Sequence, residues 1–272
     1  MSSIEKDLEQ AGLIVSQRHN MDTFTDDNYG HIYYSSNEDL NRLFREFDFR
    51  GKKVLSVLAS SDQVFHFYNR GASEVDTFDI NKLTIHYYYL RKWGIQYNDK
   101  FYLENMDNDS LCDLLLKVRP SNESEKLSFE FWKEYIKRFN KNDTEKLFMK
   151  CTLPFRNNIS DLSTLKGILD KTELNFYNMD IFLDCCLDEE YDIIYKSNIS
   201  DYISDFEVAR VYRDNLYKLL KKGGYIISSN LLTNCALCWE RIIFDELFDY
   251  YELPQYIHNE EFKSPGYVLR KK

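Results

Sequence analysis

Residues Lys53 to Leu83 read KVLSVLASSDQVFHFYNRGASEVDTFDINKL, and their pattern decides the architecture. Val54 to Leu58 is a short apolar run of the type expected for a strand covered on both faces. Ala59, Ser60 and Ser61 are small, and Asp62 stands where an N-cap opens a helix over Gln63 to Arg70. Gly71 closes that helix, and Val75 to Phe78 reads as a second strand with Asp79 at its tip. Strand, small-residue turn, helix, strand and acid make one βαβ unit of a doubly wound sheet. An acid at the tip of the second strand is placed to accept both ribose hydroxyls of a bound nucleoside.

Outward from this unit the alternation continues. Upstream, residues 1 to 28 are polar with weak helical signals, an N-terminal arm or lid that extends to about residue 50. Leu40, Leu43, Phe44 and Phe47 make one apolar face of a helix starting near Ser36 to Asp39 and running to about Phe47. Downstream, Leu83, Tyr87 and Leu90 recur at helical spacing, and Gly94 is expected to end that helix. Residues 95 to 170 interrupt the pattern and read as a helical insertion, clearest where Phe131, Trp132, Tyr135 and Phe139 line one face of Ser128 to Phe139. Strands are expected at Leu174 to Met179, ending at Asp180, and at Asp192 to Tyr195. Ser204 to Glu207 fits a capping box for a helix that Gly223-Gly224 stops, and Tyr225 to Ser228 is the next strand. A helix over 235 to 250 and a hairpin of Leu253 to Ile257 with Tyr267 to Leu269 complete residues 51 to 272 as one Rossmann-like α/β domain.

Composition narrows the partners. The 272 residues carry 45 acids against 35 bases, a net charge of −10 that repels phosphate backbones, so nucleic acid is excluded as the expected partner. The N-terminus, MSSIEKDLEQ, is unlike a secretory signal, and no run approaches the roughly 18 apolar residues that cross a bilayer. The expectation is a soluble, cytoplasmic protein. Six cysteines are too few for a disulfide scaffold in a chain of this length; Cys185-Cys186 and the CxxC of Cys235 and Cys238 lack the further ligands of a zinc site, so no metal is expected.

The turn Leu58-Ala59-Ser60-Ser61-Asp62 contains no glycine. A nicotinamide dehydrogenase normally carries GxGxxG there, because its glycines let the backbone approach the pyrophosphate. S-adenosylmethionine is an adenosine compound without phosphates, and Asp62 suits an ammonium or sulfonium better than a pyrophosphate. The antiparallel hairpin at the end points the same way. LKKGGYIISSN resembles the fifth-strand region of class I S-adenosylmethionine-dependent methyltransferases, with VLSVLASSDQ in place of their first motif. That motif usually has an acid where Ser56 stands and glycines where Leu58, Ser60 and Asp62 stand. A closer similarity is to the branch containing the diacylglycerol 3-amino-3-carboxypropyltransferases of betaine-lipid synthesis, carried by Ser60-Ser61-Asp62-Gln63, Tyr34-Ser35, Glu38-Asp39 and Ser197-Asn198.

The expected cofactor contacts are the turn residues Ala59, Ser60, Ser61 and Asp62, then Asp79 with Ile80 beside it. The resemblance implies Asp180 at the adenine amino group and Ser197 and Asn198 where the transferred group is presented. No residue stands out as catalytic; Asp201 and Tyr202 are the candidates for substrate contact or proton acceptance. Tyr34 is a candidate for closing over the cofactor, while His66 and His86 are read as packing. The function expected is alkyl transfer from S-adenosylmethionine to a small-molecule or lipid-linked acceptor, an in-line displacement in which alignment supplies most of the acceleration. Methyl transfer is the expected reaction, with 3-amino-3-carboxypropyl transfer and a non-catalytic nucleoside-binding protein on the same fold as the alternatives.

Overall fold

A computed structural model of the chain describes residues 2–16, 32–33, 36, 38–97, 108–149, 159, 161–181, 187–203, 205–229, 242–257 and 265–272. The N-terminal part contains α1 (Ser3–Ser16), β1 (Ile32–Tyr33) and α2 (Leu40–Leu43). The βαβ unit is β2 (Lys53–Val57), α3 (Asp62–Asn69) and β3 (Glu74–Asp79), followed by α4 (Thr84–Tyr97). The insertion holds α5 (Asn108–Lys117), α6 (Glu123–Arg138), α7 (Lys141–Leu147), β4 (Phe148–Met149) and α8 (Leu162–Leu169). The alternation resumes with β5 (Asn175–Asn178), β6 (Tyr191–Ser197), α9 (Phe206–Leu219), β7 (Leu220–Ser228), β8 (Phe248–Ile257) and β9 (Pro265–Lys271).

Among the described residues, seven strands form one sheet in the order β5-β3-β2-β6-β7-β9-β8. Neighbouring pairs from β5 to β7 are parallel, and β9 runs antiparallel to both β7 and β8. Together with its flanking helices this is the doubly wound, Rossmann-like α/β sheet with a C-terminal antiparallel hairpin that the sequence predicts. Val54, Leu55 and Val57 on β2 are buried, as a strand covered on both faces requires. The chain winds from β2 outward through β3 and β5, then returns to lay β6 on the other side of β2. The strand order reverses between β2 and β6, and the ends of those strands border the crevice where such sheets bind ligands. At the opposite end of the strands Lys53 bridges Glu74, Asp76 and Glu189, pinning the β2–β3 register.

The N-terminal helix does not dangle. Asp7 accepts from Lys82 at 2.9 Å and from His86 at 3.2 Å, and Glu5 pairs with Arg138 of α6 at 2.8 Å. His86 lies flat on Phe131, 4.1 Å between centroids, with its other nitrogen 2.9 Å from Ser128 Oγ, so both ring nitrogens have partners inside the fold. Burial holds the His86 imidazole below its usual pKa despite the Asp7 carboxylate. No helix among the described residues is long and apolar enough to cross a membrane.

Several boundaries differ from the sequence reading. The helix expected to reach Phe47 is only Leu40–Leu43, capped by Asp39, whose carboxylate accepts from the Arg42 amide. Gly94 does not end its helix: α4 runs through it to Tyr97, because buried Trp93 and Ile95 supply packing that outweighs one glycine's cost of about 1 kcal/mol. The cap of α9 is Asp205, accepting from the Glu207 and Val208 amides, not Ser204. The helix expected over 235 to 250 gives way at Phe248, where pairing of Tyr250 with Leu269 draws the segment into β8; residues 235–241 lie outside the described part. Helix α9 stops at Leu219, so Gly223 and Gly224 serve the strand instead, beside an irregularity in the β6–β7 pairing.

Gly223 has φ +76° with open space around it, whereas a Cβ on Gly224 would lie 2.8 Å from the Asp192 carbonyl oxygen. We expect Gly224→Ala to lower stability by about 1–3 kcal/mol, the range for overpacking, in a denaturant titration. Gly223→Asn should cost less than about 1 kcal/mol, since Asn tolerates that backbone.

Candidate functional site

The bend that follows β2 passes through two left-handed residues that are not glycine: Ala59 at φ +39° and Ser61 at φ +69°. Each such residue costs on the order of 1–3 kcal/mol and persists only where its surroundings enforce it. Here the surroundings are explicit. The Ser61 amide donates to the Leu58 carbonyl at 2.7 Å. Gln63 Nε2 donates to the Val57 and Leu58 carbonyls at 2.8 and 3.0 Å. Arg91, arriving from α4, donates to the Ser60 carbonyl at 2.5 Å and to Asp62 Oδ1 at 2.7 Å.

Asp62 is therefore not the helix cap that the sequence suggested; the cap position belongs to Ser61, whose side chain makes no capping bond. Asp62 lies in the first turn of α3, 3% exposed. Its other oxygen accepts from the Ser36 amide at 2.7 Å and from Ser60 Oγ at 3.1 Å. Burial pushes its carboxyl up, but the Arg91 guanidinium, its hydrogen bond and the Ser36 amide overcome that, and the net direction is down. Its negative charge is answered from within the fold. Ser61 Oγ, by contrast, is buried and has no hydrogen-bond partner among the described residues.

One strand over, Asp79 closes β3. Its Oδ2 accepts from the Ala59 amide at 2.9 Å and its Oδ1 from the Asn81 amide at 2.8 Å, so the acid and the bend are tied together. Burial raises the Asp79 carboxyl to about 6, against the pull of the Asn81 and Ala59 amides and the Thr84 hydroxyl. Ile80 beside it is 52% exposed, an apolar surface at the strand tip. Asn178 at the end of β5 donates to the carbonyls of Asp79 and Ile80 at 3.0 and 2.9 Å, and Met179 donates its amide to Asp79 at 3.2 Å. Asp180 follows, half-buried on the same edge.

Across the crevice β6 ends at Ser197, also left-handed at φ +54°. Its carbonyl accepts from Ser228 Oγ at 2.9 Å and from the Ser229 amide at 3.2 Å. Its hydroxyl lies 2.9 Å from Glu38 and 3.2 Å from Asn198 Oδ1. Asp201 and Tyr202 fall in a short 3-10 turn, Ile199–Tyr202, just beyond the strand; their side chains lie outside the described part, as does Tyr34. Cys185, Cys186, Cys235 and Cys238 also lie outside it.

Ala59, Ser60, Ser61, Asp62, Asp79 and Ile80 thus share one end of the sheet, with Asp180 on the β5 side and Ser197 and Asn198 on the β6 side. The sequence reading passed over Arg91, Asn81, Asn178 and Ser229, and took Glu38 only as part of a helix start and a resemblance. Arg91 had a signal: it is four residues past Tyr87 on the apolar stripe of α4, where a charged residue demands a buried partner.

No family model matches the chain, and no curated protein matches it. Among solved structures it is similar to the N-methyltransferase NodS from Bradyrhizobium japonicum in complex with S-adenosyl-L-homocysteine, at 10% identity over 97% of this chain and 98% of that one, TM-score 0.45. A TehB-like S-adenosylmethionine-dependent methyltransferase from Corynebacterium glutamicum matches at 10% identity over 86% and 88% of the two chains, TM-score 0.45. The ribosomal protein L11 methylase from Lactobacillus delbrueckii matches at 10% identity over 86% and 77%, TM-score 0.43.

Removing the guanidinium leaves a buried carboxylate without its counter-charge. Arg91→Met should destabilise the fold by about 3–5 kcal/mol, the cost of breaking a buried pair from one side. The double variant Arg91→Met/Asp62→Asn should recover a large part of that loss in the same urea titration. If the double variant is no more stable than the single one, charge is not what holds the bend.

Proposed function

We propose that this protein is an S-adenosylmethionine-dependent transferase that moves an alkyl group, most simply a methyl, to a small-molecule or lipid-linked acceptor. The observation that carries this reading is the pairing of Asp79 with the bend at the switch point. A buried carboxyl sits at the tip of the neighbouring strand, directly bonded to a turn that adopts glycine-like backbone without glycine. The fit is supported by three further features: the Ser61 hydroxyl, which has no partner among the described residues, the exposed apolar face of Ile80 next to the acid, and the absence of phosphate-cradling glycines in the turn.

In this reading Asp79 accepts the ribose hydroxyls and Ile80 covers one face of the adenine, with Asp180 at its amino group. The backbone of Ala59 to Asp62 borders the amino acid tail, and Ser197 and Asn198 face the group to be transferred. When bound, S-adenosylmethionine supplies an alkyl carbon already activated by its sulfonium. The protein's task is then to hold the nucleophile in line and to exclude water, which needs neither a nucleophilic side chain nor a metal. Asp201 and Tyr202 remain the candidates for contacting the acceptor.

Aminocarboxypropyl transfer is kept as a second reading because the residues that carry the resemblance to that branch converge. Glu38 meets Ser197, and Asp62 meets Ser60 and the amide of Ser36, around one crevice. The two reactions leave different by-products, S-adenosylhomocysteine for methyl transfer and methylthioadenosine for the other, and mass spectrometry of the spent cofactor separates them. A non-catalytic protein would bind the ligand and release neither.

Calorimetry with S-adenosylhomocysteine tests the binding claim. Asp79→Ala should weaken binding by roughly 1.5–3 kcal/mol, the range for a hydrogen bond to a charged group. Because burial raises Asp79 to about 6, the apo protein takes up a proton there as pH drops through that value, whereas two donating hydroxyls favour the ionised carboxylate. Affinity should therefore fall as pH drops through about 6 and stay flat in Asp79→Ala. No binding to the wild-type chain at millimolar ligand rules out the transferase.

A further inference from the structure

Ser36 and Glu38 reach the ends of three adjacent strands. The Ser36 amide reaches Asp62 after β2, and the Glu38 carboxylate accepts the hydroxyl of Ser197 at the end of β6 and that of Ser229 after β7. It also accepts the hydroxyl of Tyr195, within β6. Glu38 is 2% exposed, and its own amide donates to Ser36 Oγ at 3.1 Å. Glu38 thus brings one buried carboxylate to the strand ends that border the switch-point crevice.

A serine or tyrosine hydroxyl has one proton and two lone pairs. Given a carboxylate as neighbour, it commits the proton there, since charge-assisted bonds are about twice as strong as neutral ones. Ser197 therefore directs its proton to Glu38 and keeps only lone pairs for any further partner. Its backbone cannot swing away, because Ser228 and Ser229 hold its carbonyl and its φ is left-handed. Asn198 Oδ1 stands 3.2 Å from the same oxygen, and both residues are half-buried at the rim. The oxygens of Ser197 and Asn198 lie close to a buried carboxylate, an environment that stabilises a positive group and offers a neutral one much less.

We propose that Glu38, acting through Ser197, is a specificity-determining positioning residue that makes the crevice select cationic ligands over their neutral counterparts. The inference rests on the transferase reading above, and it gives that reading a direction. The sulfonium form is held at the rim, and the neutral thioether left after transfer is held more weakly, so product leaves.

Calorimetry on the full chain reads this as a ratio. Sinefungin carries an amine where the sulfonium stands, and S-adenosylhomocysteine is the neutral thioether. The wild-type chain should bind sinefungin and S-adenosylmethionine more tightly than S-adenosylhomocysteine. In Glu38→Gln that preference should shrink by roughly tenfold, the scale of one partly desolvated charge, with S-adenosylhomocysteine affinity within about twofold of wild type. Retained S-adenosylhomocysteine binding shows that the fold survives, and a merely structural role would weaken all three ligands alike. An unchanged ratio, or a parallel loss for all three, overturns the proposal while the transferase reading stands. If Glu38→Gln does not fold, Ser197→Ala decides the same ratio, since its half-exposed side chain carries the contact to the rim. Failure of every ligand to bind the wild-type chain removes the transferase reading, and this inference with it.

Discussion

A buried guanidinium holds the crevice together. Arg91 lies over the rings of Phe65 and Tyr87 and reaches the Ser60 carbonyl and the Asp62 carboxylate. Through those contacts helix α4 clamps the bend after β2 in a backbone that glycine adopts freely and that side chains resist. The strain of Ala59 and Ser61 is of the same order as one such buried, charge-assisted contact. What glycine does elsewhere by having no side chain, this chain does by an ion pair and a ring of hydrogen bonds.

The same network ties the bend to everything around the crevice. Asp79 holds Ala59 from the β3 side, and Asn178 holds Asp79 and Ile80 from β5. Ser36 joins from the N-terminal part, and Glu38 gathers the ends of β6 and β7. Gln10 of α1 approaches Asn81 at 3.3 Å, so the N-terminal helix also bears on the segment that follows Asp79. Five strand ends and three helices therefore meet in one set of polar contacts around the crevice.

Two carboxyls in that set are handled in opposite ways. Asp62 is buried with a cation and driven toward its ionised form, which makes it a fixed structural charge. Asp79 is buried with amides and a hydroxyl, which only partly offset desolvation, so it sits near 6 and can still be biased by a ligand. Burial alone does not decide which carboxyl is scaffold and which is available. The partner does.

Much of this was legible in the residues. Periodicity placed β2, α3 and β3 within a residue or two, because an apolar run, a small-residue turn and an acid at a strand tip are local patterns. The hairpin of β8 and β9 and the helical nature of the insertion were legible for the same reason. Boundaries at Gly94, at Gly223-Gly224 and near Phe248 were not, since there the outcome depends on what packs or pairs from far along the chain. Arg91 is 29 positions from Asp62, and Glu38 is 159 from Ser197, far beyond the span of one helix or strand pattern. Local chemistry determined the sheet and marked its switch point with Asp79. Only the folded chain decided which charges meet there, because burial and counter-charge belong to neighbours in space and not in sequence.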